Sequence, residues 1–268
     1  MGRINHPELT RIAHRCRYPV CFHLLKEAGC RSNRHYNAKY ALPEKALAVG
    51  KVHRAAEQGI ADAENNLAQM YLLGRGVPRD LGAALFWLSK AAEQDQPDAE
   101  NILGQMYFSG MGMPQDDGEA LCWYSKAAAQ GHPDGENHLG VLYHLGRGVQ
   151  QDDTIAVEWF RKSAEKGYAE AENNLGLLYA RGSGTTQDDV QAMQWFRRAA
   201  NQGHADAQYN LGEMYELGRS VPQDDEIAVA WLHSAARQGH DLARQHLEIM
   251  CGKGIKWACP HAARCQQS

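Results

Sequence analysis

Apolar positions recur along this chain with two spacings, one nested in the other. The short spacing is helical. Within residues 97–132, Ala99, Leu103, Met106 and Tyr107 fall on one face of a helix running from about 98 to 109. A second stripe, Ala120, Trp123, Tyr124, Ala127 and Ala128, predicts a second helix whose small residues meet the next unit and whose aromatic residues fill the remaining gap. The long spacing is 36 residues. It carries Trp87, Trp123, Trp159, Trp195 and Trp231, the leucine column Leu67, Leu103, Leu139, Leu175 and Leu211, and the tyrosine column Tyr71, Tyr107, Tyr143, Tyr179 and Tyr215. A fixed period of roughly 20 to 50 residues predicts stacked units, each burying its apolar face only against its neighbours.

The pattern divides the chain into a half unit from Glu44 to Gln58, five complete repeats (61–96, 97–132, 133–168, 169–204 and 205–240), and a closing half unit over 241–250. The array thus covers 41–250, between a cap over 1–40 and a tail over 251–268. Glycine inside the first helix, at Gly104, Gly140, Gly176 and Gly212, implies that two helices cross closely there, because a helical glycine otherwise costs about 1 kcal/mol against alanine. Gly110 and Gly112 supply left-handed turn conformations, and Ser220 is the one departure in the second glycine column. Asp80, Asp116, Asp152, Asp188 and Asp224 open the second helices as N-caps, with Asp116 and Glu119 a candidate capping box. The repeated Gln-Asp-Asp resembles calcium chemistry only superficially, since a calcium loop needs more oxygens and a closing bidentate glutamate.

Composition alters this picture at the ends. Residues 1–40 hold eight Lys or Arg against two acids, 41–250 hold 17 against 30, and the last eighteen hold three against none. An acidic array with basic ends excludes nucleic-acid binding along its length and favours basic or neutral partners. No apolar run approaches the roughly 18 to 20 residues of a membrane helix. No apolar stretch follows Arg3, Arg11, Arg15 and Arg17 as a secretion signal would require. Ala28-Gly29-Cys30 resembles a lipoprotein cleavage site, but Lys26 and Glu27 stand where apolar residues belong. The expected compartment is the cytoplasm, with the periplasm as the alternative that six terminal cysteines suggest. Cys16, Cys21, His23 and Cys30 admit a tetrahedral zinc site, a disulfide, or free thiols in a cap. Without a paired Cys-x-x-Cys the cap is favoured, so neither metal nor cofactor is expected. Cys251, Cys259, His261 and Cys265 form a second cluster, read as a closing cap or a frayed tail.

The repeating columns Ala-x3-Leu-Gly-x2-Tyr-x2-Gly-x-Gly-Val-x2-Asp-x3-Ala-x2-Trp-x3-Ala-Ala-x2-Gly resemble the Sel1-like repeat, a relative of the tetratricopeptide repeat, over about 41–250. The resemblance implies an all-α, right-handed α/α superhelical solenoid that serves as a non-enzymatic adaptor for another protein or peptide, with a monomer expected. Members of the family act in quality control at the endoplasmic reticulum, in bacterial signalling and host interaction, and as immunity partners of secreted lipase effectors. A cysteine-rich bacterial branch binds or hydrolyses penicillins, and it places a cysteine in nearly every repeat where this chain has Ala91, Ala127 and Ala199. No recurring Ser-x-x-Lys or Gly-x-Ser-x-Gly supplies a nucleophile, and Ser125 beside Lys126 occupies an ordinary second-helix position.

In helix-pair superhelices of this kind the first helices line the concave surface. Their positions facing away from the leucine–tyrosine stripe are the expected partner contacts. These are Asn65, Asn101, Asn137, Asn173 and Tyr209; Gln69, Gln105, Val141, Leu177 and Glu213; and Leu72, Phe108 and His144. An asparagine row offers donors and acceptors to the backbone of an extended peptide, and Leu72, Phe108, Val141, Leu145 and Leu177 offer apolar pockets beside it. The competing expectation is that the asparagines bond to neighbouring helix ends or to water.

Overall fold

The structure is a computed structural model that describes residues 44–259. Among these residues there are twelve α-helices and no strand. The helices are α1 (Glu44–Glu57), α2 (Ala61–Leu73), α3 (Leu81–Ala92), α4 (Pro97–Ser109), α5 (Asp117–Ala129), α6 (Pro133–Leu145), α7 (Asp153–Glu165), α8 (Ala169–Arg181), α9 (Asp189–Asn201), α10 (Ala205–Leu217), α11 (Asp225–Arg237) and α12 (Asp241–Gly252). A single 3-10 turn, Lys256–Ala258, follows. The clusters predicted at Cys16, Cys21, His23 and Cys30, and at His261 and Cys265, lie outside the described residues. The chain divides into two compact units, one ending at Gln150 and the other beginning at Gln151.

In both units the core is the predicted stripe. Leu67, Leu103 and Leu139 in the first unit and Leu175 and Leu211 in the second are all 0 or 1% exposed. Gly104, Gly176 and Gly212 each lie under a bulky residue of the following helix. A Cβ on Gly104 would sit 2.6 Å from Cδ1 of Tyr124, and one on Gly176 would sit 2.7 Å from Phe196. Tyr124 is itself fully buried, so the ring has nowhere to retreat.

Each first helix ends on a glycine in the left-handed region, as at Gly110 (φ 69°), which donates its amide to Met106. Each second helix begins on the predicted aspartate. Asp116 accepts from the amides of Gly118 and Glu119, and Asp152 from those of Thr154 and Ile155. The capping box is different from expectation in one respect: the Asp116 amide donates to the carbonyl of Tyr107, not to Glu119. Asp80, Asp188 and Asp224 repeat this bond to Tyr71, Tyr179 and Tyr215, so the aspartate ties its own helix start to the preceding helix. At the end of the second unit, Met250, Ala258 and half-buried Ile255 join one apolar cluster, and a disulfide links Cys251 to Cys259. That stretch of the tail closes the core rather than fraying.

Candidate partner-binding clefts

In the first unit a cleft of about 380 Å³ opens along the first helices. It is lined by Gln69, Leu72 and Leu73 from α2, by Asp98, Asn101, Ile102 and Gln105 from α4, and by His132 and Asp134 at the start of α6. Four residues named from sequence spacing, Gln69, Leu72, Asn101 and Gln105, therefore meet at one place. In the second unit a cleft of about 450 Å³ gathers Tyr209 and Glu213 with Glu216, Leu217, Leu242, Gln245, His246, Ile249 and Lys253. There the Tyr209 hydroxyl donates to Glu213 Oε1 at 2.7 Å, and its ring stacks on His240 with centroids 4.9 Å apart. His246 Nε2 lies 2.6 Å from Glu216 Oε2. Burial and these carboxylates hold the Tyr209 phenol above its ordinary pKa, and it stays neutral. A third cavity, about 520 Å³ against α9, holds none of the predicted residues.

The asparagine row is less open than its column predicts. Asn65, Asn101, Asn137 and Asn173 are only 3 to 4% exposed. Asn101 Nδ2 donates to Asp134 Oδ2 at 2.7 Å, and Asn173 Oδ1 accepts from Asn210 Nδ2 at 2.9 Å. These two amides link one first helix to the next, as the competing expectation had it. Of the positions one turn further on, Gln69, Leu72 and Gln105 line the first cleft, and these three with Val141, His144 and Leu177 are half-buried. Phe108 is covered, because the Arg147 guanidinium stacks 3.7 Å from its ring centre and donates to its carbonyl. Leu177 packs on the α9–α10 core, whereas Leu145 is 53% exposed.

Two side-chain ladders escaped the sequence reading. Gln94, Gln130 and Gln202 donate to the buried carboxylates of Glu64, Glu100 and Glu172 at 2.7 to 2.8 Å, and Gln238 donates likewise to Gln208. Burial raises the pKa of all three glutamates, that of Glu100 to about 7. The histidines that open α6, α10 and α12 form the second ladder. His132, His204 and His240 each cap their helix through Nδ1 while Nε2 faces Asp98, Glu170 and Asp206 of the preceding repeat. The two ladders join columns offset by 30 and by 34 residues, spacings that match neither the helical period nor the repeat. The Ser125–Lys126 pair carries no nucleophile: Ser125 is 3% exposed and donates to the Leu121 carbonyl at 2.6 Å, while Lys126 lies over the Trp123 ring.

A family model described as the Sel1 repeat matches residues 61–96, 97–132, 133–168, 169–204 and 205–240. The chain belongs to the Sel1-repeat family. Its consecutively packed helix pairs match Sel1-repeat solenoids, as the all-α solenoid expectation required. Among solved structures, a Sel1 repeat protein from Oxalobacter formigenes is 34% identical, covering 71% of this chain and 76% of that one with a TM-score of 0.67. A protective antigen of uropathogenic Escherichia coli strains, displaying an SLR fold, is 38% identical with a TM-score of 0.70. It covers 77% of this chain, which spans only 44% of that antigen's length. An immunity protein from Pseudomonas aeruginosa, 24% identical over 83% of each chain with a TM-score of 0.52, shares the fold alone. No curated protein matches the chain. No helix of this Sel1-repeat chain is long and apolar enough to cross a membrane, among the described residues.

Proposed function

We propose that this Sel1-repeat chain is a non-catalytic adaptor that holds a peptide or partner domain against its first helices. The observation that carries the reading is the first-unit cleft, where Gln69, Leu72, Asn101 and Gln105 converge beside Leu73, which is 57% exposed. Amide groups around an apolar floor suit an extended segment, whose backbone needs donors and acceptors while its side chains need apolar contact. The test is affinity capture with a Gln69→Ala, Leu73→Asp, Gln105→Ala variant. Captured partner should fall about tenfold or more, a loss of about 1.4 kcal/mol, while far-ultraviolet circular dichroism stays unchanged. Equal capture by the variant would put the binding face elsewhere. The narrower alternative, an immunity protein that neutralises a lipase effector, is supported by resemblance of fold, and it predicts inhibition of a lipase encoded beside it.

A further inference from the structure

The cavity of about 520 Å³ against α9 differs in kind from the two clefts on the first helices. One face of α9 lines it, with Val190, Met193, Gln194, Arg197 and Asn201 three or four residues apart, and Val221 closes it from the turn after α10. Stacking does not dictate this composition, because the equivalent positions one repeat earlier carry other chemistry. Thr154 and Thr185 stand there in place of Val190 and Val221, and Glu158 and Glu165 in place of Gln194 and Asn201. Val190 is 56% exposed all the same. The turn differs as well. A Cβ on Gly184 would sit 2.2 Å from the Asp153 carbonyl, whereas Ser220 carries a Cβ at the matching position, so its turn stands further off the start of α9.

Two arginines stand on this cavity in different states. Arg198 is committed: its Nε pairs with Glu172 at 2.9 Å, its Nη2 donates to the Ala164 carbonyl, and its guanidinium lies over the Trp195 ring. Arg197 is held but not neutralised. Its Nη2 donates to the Tyr215 hydroxyl at 2.8 Å and reaches the Met193 sulfur at 4.0 Å, and no carboxylate pairs with it among the described residues. The bond to the hydroxyl recurs between Arg161 and Tyr179, so it belongs to stacking. The surrounding charge does not recur. Glu158 and Glu165 flank Arg161 three residues before and four after it on α7, where Arg197 is flanked by two amides. The acids at the start of α9 and on α8 are taken as well, Asp189 by Arg219 and Glu172 by Arg198. Tyr215 therefore fixes a cation whose Nε and Nη1 hydrogens are open, beside an apolar floor. It does so in an array where 30 acids outnumber 17 lysines and arginines over 41–250, so a site of the opposite sign is local.

We propose that this cavity binds an acidic side chain of a partner protein, Asp or Glu, together with an apolar residue beside it. The carboxylate accepts the hydrogens of Arg197 that Tyr215 leaves open, and the apolar side chain lies on Val190, Met193 and Val221. The apolar floor alone would not choose between partners, and the fixed guanidinium does. The amides of Gln194 and Asn201 and the Ser220 hydroxyl offer bonds to a peptide backbone that an acyl chain could not use, which places the carboxylate on a peptide. The site lies in the second unit on a second helix, so it is additional to the first-unit cleft and independent of it.

The test is a random heptapeptide array probed with the full chain, with an Arg197→Gln variant and with a Gln194→Glu, Asn201→Glu variant that restores the acids of the preceding repeat. Gln194 and Asn201 are exposed, so the second variant keeps the fold if the first does not. Laurate, a free carboxylate on an alkyl chain, is titrated against the same three proteins by calorimetry. The native chain should retain a class of peptides with Asp or Glu beside an apolar residue. Each variant should bind that class about tenfold more weakly, while peptides that depend on Gln69, Leu73 and Gln105 stay bound. Identical retention by the native chain and the variants, an empty array included, would overturn the inference, as would lost peptides without acidic enrichment. Laurate bound by the native chain and released by both variants, with no peptide class lost, would overturn the peptide occupant.

Discussion

Glu100 is the residue at which burial and charge conflict most directly. Its side chain is 1% exposed, and removal from water outweighs the hydrogen bond from Gln130 and the distant charge of Lys126, so its pKa rises to about 7. A carboxyl that titrates near 4.5 unfolded and near 7 folded binds the extra proton in the folded state between those values. Its contribution to stability therefore falls as pH rises through that window and is lowest above it, by up to about 3 kcal/mol. Glu100→Gln should flatten the dependence of melting temperature on pH between 5 and 8 and raise it most at pH 8. The fifth repeat already holds this solution, since Gln208 Oε1 accepts from Gln238 at 2.9 Å. Gly104 is constrained by shape rather than charge. Gly104→Ala would drive a methyl into the buried Tyr124 ring, and urea unfolding should show a loss of about 1 to 3 kcal/mol despite the better helix propensity of alanine.

At the scale of the element, repeat boundaries and helix starts were legible because each depends on residues close in sequence. The five aspartate caps and the glycine helix ends fall where the columns place them. The asparagine row is more covered than its column predicts, for a physical reason. Helical spacing gives the angle of a side chain around its own axis, but it does not say how near the following first helix comes, and that neighbour covers Asn101 and Asn173. The same limit concealed the Gln–Glu and His–acid ladders. The turn after α10 departs in the other direction. Ser220 holds φ at 60° where the equivalent turns have Gly112, Gly148 and Gly184. A side chain in this region costs about 1 kcal/mol or more, so Ser220→Gly should stabilise the second unit by about 0.5 to 1 kcal/mol in thermal melts.

At the scale of the whole molecule, each unit is held by neighbour-to-neighbour ties, so its stability should be graded along the chain rather than uniform. In the second unit α12 packs on α11 and touches α10 through His246 and Glu216, whereas α9 lies packed between α8 and α10. The Cys251–Cys259 bridge closes the 3-10 turn over the exposed end of that core. Reduction of this bridge should speed amide exchange in α12, read by mass spectrometry, and leave α8 and α9 unchanged.

The long side-chain ties have a consequence for chain continuity. In the first unit Gln130 reaches back to Glu100, Arg147 to Asp117 and Phe108, and Asn101 forward to Asp134, bonds that join residues 30 to 39 apart. Each spans at least one interhelical turn, so the peptide bonds of a turn such as 113–115 are bypassed by contacts on both sides. A nick there would leave two complementary fragments that reassociate through surfaces the intact protein already uses, and the array would pass from one covalent chain to a heterodimer without a change of packing.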